Sequence, residues 1–145
     1  MLVATWNVNS LRVRLPQLKD WLAANPVDVI ALQETKLPDP DFPREEIEAL
    51  GLHVAFSGQR TYNGVAILAR VTPEGVRRGL PGDAGDTQAR YVEALIPSPT
   101  GMVRVASIYL PNGNPPDTEK YAYKLAWMDR LTDHVRGLLK LEEPL

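Results

Sequence analysis

The sequence predicts an α/β fold in which helices pack on a mixed sheet. Three observations carry that prediction. A strand, a helix and a second strand follow one another within about 30 residues, the length of a βαβ unit. A meander of short apolar segments comes next, broken by Gly, Pro and Asn. One long segment with helical apolar spacing lies near the C-terminal end.

Each element has a local reason. Residues 2–6 form a short apolar run ending at Asn7, a first strand. Ser10 and a turn lead to Leu15 and Pro16, and Pro16 suits the first turn of a helix, where its missing N–H is not needed. Leu11, Leu15, Leu18 and Leu22 fall on one face of that helix, and Asn25-Pro26 stops it. Residues 28–32 are almost continuously apolar, as in a strand covered on both faces. Residues 38–43 read as a loop and 44–50 as a short helix ended by Gly51. Residues 52–57 and 64–70 read as strands joined through Tyr62-Asn63-Gly64. A short strand at 76–79, a loop over 80–87 and strands at 90–96 and 102–110 complete the meander. Tyr121, Leu125, Met128, Leu131, Val135 and Leu138 mark the apolar face of the last helix. Asp117 and Glu119 near its start and Arg136 and Lys140 near its end match the helix dipole.

A chain of 145 residues makes one domain or part of one, with a real core. It has no cysteine, which excludes disulfides, thiolate metal sites and cysteine nucleophiles. Met1-Leu2-Val3-Ala4-Thr5 lacks the basic and apolar segments of a secretion signal, and no stretch approaches the roughly 18 apolar residues of a membrane span. A cytoplasmic address with no membrane partner is the expectation. The net charge of −2 argues against strong non-specific nucleic-acid affinity as a whole-chain property. The distribution is uneven, however: residues 1–59 are net acidic and residues 60–104 net basic. His53 and His134 lie away from any polar motif, and no Ser/His/Asp triad, P-loop, dinucleotide fingerprint or zinc motif is present. Trp6, Trp21 and Trp127 read as packing residues.

Three places set polar groups just beyond an apolar strand, where ligand sites of α/β sheets gather. They are Trp6-Asn7-Val8-Asn9, Leu32-Gln33-Glu34-Thr35-Lys36 and Tyr109-Leu110-Pro111-Asn112-Gly113-Asn114. Each has an ordinary structural reading as a turn, a solvated carboxylate or an anchoring aromatic. Taken together in order and spacing, they resemble the exonuclease III / apurinic endonuclease family. The resemblance rests on Trp-Asn-Val-Asn-Ser-Leu-Arg from Trp6, Pro-Val-Asp-Val-Ile-Ala-Leu-Gln-Glu-Thr-Lys over 26–36, and Tyr-Leu-Pro-Asn-Gly from Tyr109. Asn-Gly-Val-Ala-Ile-Leu from Asn63 resembles the family's central strand, and Arg77-Arg78-Gly-Leu-Pro-Gly-Asp its middle loop. Leu-Gln-Glu-Thr-Lys is the most specific of these.

The resemblance implies a DNase I-like four-layer α/β sandwich, of which this chain would be one mixed-sheet half, and Mg²⁺- or Mn²⁺-dependent cleavage of duplex DNA and abasic-site DNA in base-excision repair. Carried over by position, Glu34 is the metal ligand and Asn9 a second metal contact, standing where some relatives have Asp. Asn7 orients the catalytic groups and Tyr109 places its phenol near the scissile phosphate. Asn112, Arg90 and Lys120 contact the DNA backbone. The family's later Gly-Asp-x-Asn and Ser-Asp-His segments do not occur here. Residues 1–145 are therefore expected to be the N-terminal part of a single domain whose C-terminal half is absent, with little or no activity alone. The inner face of its sheet is expected to be bare and covered by a dimer or a partner chain. The competing readings are another phosphodiesterase of the same superfamily and a DNA-binding or interaction fragment without catalysis.

Overall fold

The computed structural model describes residues Met1–Leu145. Strand β1 (Val3–Asn7) leads through helix α1 (Leu11–Ala24) to β2 (Val29–Gln33), which runs parallel to β1. A single 3₁₀ turn at Asp39–Asp41 and the short α2 (Arg44–Glu48) precede β3 (His53–Ser57) and β4 (Val65–Ala69). β4 inserts between β2 and β3, antiparallel to both, giving the mixed order β1-β2-β4-β3. The chain then leaves that sheet. β5 (Glu74–Arg78), β6 (Tyr91–Ser98) and β7 (Gly101–Ile108) form a second, antiparallel sheet in the order β5-β6-β7, and α3 (Glu119–Leu139) follows.

The residue pattern explains the layers. In α1 the buried positions are Leu11, Leu15, Leu18 and Leu22, which pack with Ile30 and Leu32 of β2. Side chains alternate across a strand, so Val29 lies instead in the cluster between the sheets, with Ala55, Val65, Ile67 and Ala69. From the second sheet, Val92, Ala94 and Ile96 of β6 fill the same cluster. On the opposite face of β6, Tyr91 packs with Trp127 of α3 and Leu80. The result is helix, sheet, sheet, helix.

Three expectations change. The α/β class stands, but the strands form two sheets rather than one, because the short connection 70–73 after β4 carries β5, β6 and β7 into a layer over the inner face. Apolar alternation marks a strand as buried without saying which sheet it joins. That inner face is consequently not bare: Val65, Ile67 and Ala69 are fully buried beneath β6. The remaining apolar opening is a cleft of about 370 Å³ at the unpaired edges of β1 and β7, lined in part by Val3, Ala31, Val105 and Ile108. Helix α1 begins at Leu11, not near Pro16, since Ser10 caps it, its Oγ accepting from Val13 N at 3.4 Å. Pro16 therefore sits inside the helix.

The third change concerns α3. Tyr121, Leu125 and Met128 are exposed, and the sheet-facing residues include Tyr123, Trp127, Leu131, His134 and Leu138. The sheet surface beneath holds a charge. Glu93, only 2% exposed, accepts from the Tyr91 hydroxyl, lies 2.8 Å from His134 Nε2 and accepts from Arg104 Nη1 at 3.3 Å. Burial works against the Glu93 carboxylate, but the bonds from Tyr91 and His134 and the charges of His134 and Arg104 outweigh it, holding its pKa below the ordinary 4.5. A carboxyl lowered on folding contributes stability above its unfolded pKa and loses it as pH falls. Glu93→Gln is expected to cost about 3–5 kcal/mol at neutral pH, as for a broken buried pair. The gap to the unsubstituted chain should narrow below about pH 4.5 in denaturant titrations. Parallel stability–pH curves for the two proteins would contradict this account.

Candidate active site

Strands β1, β2 and β7 end at one rim of the sandwich, where β4 and β6 begin. Asn7 pairs with Gln33, Gln33 with Val65, and Ile108 with Tyr91. The three polar segments singled out in the sequence therefore meet at one rim. The sheets are tied beneath it. Ser107 Oγ donates to Leu32 O at 2.8 Å and accepts from Gln33 Nε2 at 3.0 Å.

The turns above the joint interlock. Ser10 N donates to Glu34 O at 2.8 Å and Leu11 N to Thr35 O at 3.0 Å. Thr35 N donates to Gly64 O at 3.1 Å and Lys36 N to Asn63 O at 2.9 Å. Gly64 is required where it stands: its φ is +94°, and a Cβ would lie 2.0 Å from Thr35 Oγ1.

Glu34 and Tyr109 come from different sheets and touch. The Tyr109 hydroxyl donates to Glu34 Oε1 at 2.8 Å. Burial, that bond and the Glu34 charge push the Tyr109 phenol pKa up, against an opposing pull from Arg90. The Arg90 guanidinium lies 5.0 Å from the Tyr109 ring centroid, and its Nη1 donates to Tyr109 O at 3.2 Å. Asn7 Oδ1 accepts from Asn9 N at 3.1 Å, closing the local turn expected after a strand. Asn9 Oδ1 accepts from Lys36 Nζ at 2.6 Å.

Arg90, Asn112 and Lys120 line one cavity of about 520 Å³, together with Tyr62, Gln88 and Tyr123. The structure thus joins Glu34 to Tyr109 and Tyr109 to Arg90, and it groups Arg90 with Asn112 and Lys120. Asn7 and Asn9 stand on the adjoining turn and make no bond to that pair. Sequence reasoning missed Ser107, Lys36 and Tyr123. Lys36 carried a signal as the last residue of the Leu-Gln-Glu-Thr-Lys motif; Ser107 and Tyr123 carried none. His53 is exposed and His134 is committed to Glu93, so neither enters the site.

The two sheets, packed face to face between helices, form a DNase I-like α/β sandwich in which Glu34 and Tyr109 meet at the strand ends. The chain belongs to the Endonuclease/Exonuclease/phosphatase family, whose model matches residues 4–145. It is 40% identical over 109 residues to exodeoxyribonuclease III of Haemophilus influenzae, covering 75% of this chain and 41% of that protein. It superposes on a 3′-5′ exonuclease from Neisseria meningitidis with a TM-score of 0.91 and 44% identity, covering 97% of this chain and 53% of the other. The AP endonuclease of Archaeoglobus fulgidus matches with a TM-score of 0.83 and 42% identity, over 90% and 49%. The chain spans about half the length of the relatives it matches. None of its helices is long and apolar enough to cross a membrane.

Two outcomes are expected from this geometry. Gly64→Ala should lower stability by about 2 kcal/mol or more, from a strained φ and a collision with Thr35, read as a shifted urea midpoint. An unchanged midpoint would show that the turn yields. In Glu34→Ala the Tyr109 phenol should titrate at lower pH than in the unsubstituted chain, since the bond and the charge that raise it are both removed. Ultraviolet difference titration, with Tyr109→Phe to assign the signal, measures this.

Proposed function

We propose that this chain carries the Glu34 half of a divalent-metal-dependent DNA phosphodiesterase site, of the exodeoxyribonuclease III and abasic-site endonuclease type. The observation that carries the reading is the Tyr109–Glu34 hydrogen bond of 2.8 Å between the sheets, beside a cavity lined by Arg90, Asn112 and Lys120. Names of its relatives, an exodeoxyribonuclease III and an AP endonuclease, support DNA as the substrate.

The donor set suits Mg²⁺ or Mn²⁺ in a water-rich mode. Mg²⁺ is often held by one or two carboxylates, with waters and phosphate oxygens completing the shell. Glu34 gives one oxygen to Tyr109, and no group of the chain bonds the other. Asn9 already accepts from the Lys36 ammonium, so the metal contact is assigned to Glu34, and Asn9 acts by holding Lys36. A bound cation supplies charge stabilisation to the phosphate.

The chain's own groups have distinct tasks. Tyr109 is a neutral phenol at neutral pH, and burial and Glu34 raise its pKa further; its one proton, given to Glu34 here, would turn to a phosphate oxygen once Glu34 holds the metal. Arg90 and Lys120 offer fixed positive charge to the DNA backbone, and Asn112 an amide. Asn7 braces the turn that carries Asn9. General-base and electrophilic groups each typically contribute about 10²-fold or more. The family's Gly-Asp-x-Asn and Ser-Asp-His segments, expected to supply such groups, do not occur in this sequence.

The test is cleavage of an abasic-site duplex with Mg²⁺. Three samples are compared: the chain alone, Glu34→Ala, and the chain mixed with the C-terminal half of a relative. Little or no cleavage alone and Glu34-dependent cleavage on mixing are expected. Strong cleavage that survives Glu34→Ala would overturn the assignment.

A further inference from the structure

Resting on the reading of Arg90 as a phosphate-facing cation, we infer that Asp86 is a positioning residue that fixes the Arg90 guanidinium in place before DNA arrives. Arg90 is held by two groups besides Tyr109. Its Nε donates to Gln88 Oε1 at 2.7 Å, and its guanidinium carbon lies 5.8 Å from the Tyr123 ring centroid. Both groups lead to one carboxylate. Asp86 Oδ1 accepts from Gln88 N at 3.0 Å, and Oδ2 accepts from the Tyr123 hydroxyl at 2.8 Å.

A third arm makes the carboxylate rigid. Arg130 of α3 donates from Nη1 to the same Oδ2 at 2.9 Å, while Nη2 and Nε donate to Leu80 O and Pro81 O at 2.8 and 3.2 Å. The Asp86 and Arg130 side chains are 6% and 15% exposed. A buried ion pair is weak support for stability in itself, because desolvation offsets its attraction. Here its geometric product is specific: the loop carrying Gln88 and the helix carrying Tyr123 are fastened to each other on either side of Arg90. Arginine has many rotamers to lose when it grips a phosphate. Ordering it in advance removes that cost from binding. A carboxylate also suits this place better than a neutral group, since it accepts from three donors and leaves the Arg90 charge unpaired for the ligand.

Two readouts on the full chain test this. The first is the Arg90 Nε–H resonance in NMR, identified by its loss in Arg90→Lys. It is expected to be dispersed and protected from exchange in the unsubstituted chain and in the exposed control Asp129→Ala. It should collapse into the exchanging arginine envelope in Asp86→Ala. Tyr123→Phe, which deletes one oxygen and keeps the ring, guards against a variant that merely unfolds and should give a partial loss. An unaltered Arg90 resonance in folded Asp86→Ala and Tyr123→Phe would overturn the inference. The second readout is the salt dependence of duplex-DNA binding, followed by fluorescence anisotropy. Losing one phosphate contact lowers the log–log slope by about 0.9. Arg90→Ala should show that drop, whereas Asp86→Ala, which keeps the Arg90 charge, should keep the slope but bind several-fold more weakly, and adding it to Arg90→Ala should weaken binding no further. Additive losses of affinity, or an unchanged affinity in Asp86→Ala, would mean that Asp86 only braces the fold. If the unsubstituted chain binds no duplex, the nucleic-acid reading fails by itself and the Arg90 resonance still decides whether Asp86 positions it.

Discussion

Ser107 is the joint on which the geometry of the rim depends. Its hydroxyl donates to the Leu32 carbonyl, 75 positions away in sequence, and accepts from the Gln33 amide. The buried core between the sheets is Val, Ala and Ile, and aliphatic surfaces of that kind tolerate small slips. A buried hydroxyl does not, because its partners must sit at hydrogen-bond distance and an unpaired polar atom is costly. Tyr109 follows Ser107 by two residues and so shares its side of the strand, and Glu34 directly follows Gln33. Fixing Ser107 against Leu32 and Gln33 therefore brings the Tyr109 hydroxyl to Glu34.

Backbone strain gathers at the same place. Eight non-glycine residues have positive φ, and Asn9, Ser10, Glu34, Lys36 and Asn63 are among them. These five belong to the interlocked turns at the rim, and each such conformation costs on the order of 1 kcal/mol or more. The strain persists because neighbouring turns satisfy one another: Ser10 with Glu34, Leu11 with Thr35, Thr35 with Gly64, Lys36 with Asn63. Gly64 has no Cβ to keep Thr35 away. The left-handed residue at Glu34 ends the strand sharply, so its side chain leaves the sheet pattern and reaches Tyr109 on the other sheet.

What could be read from the sequence was whatever depends on near neighbours. The four leucines of α1 recur at helical spacing and are the four buried there. The Val-Ile-Ala-Leu run of β2 is buried on both faces, as its lack of alternation implied. The grouping of polar residues after three strands was legible because strand ends in an α/β fold converge. The face of α3 was only partly legible from apolar periodicity: Leu131 and Leu138 are turned inward as expected, but the sheet beneath presents Glu93 and calls for a polar tip, that of His134. Ser107 and Asp86 looked like ordinary polar residues for the same reason: the partners that give them meaning are 37 to 75 positions distant.

The acidic balance of the chain counts only weakly against a nucleic-acid partner. Net charge describes long-range attraction, and at physiological ionic strength that attraction fades within about 8 Å. What matters at the rim is which charges are already spent on protein partners. Asp86 is neutralised by Arg130, and Glu93 by Arg104 with His134 at its side. Those acids enter the count of −2 but contribute little field at the cavity. Arg90 bonds only to neutral oxygens, of Gln88 and of the Tyr109 backbone, and lies against two aromatic rings. Its charge is thus fully ordered and uncompensated within the fold, and Lys120 adds to it across the cavity against Glu119. Arg90 and Lys120 are thus cations without an acidic partner in the fold, which the summed charge of the chain conceals.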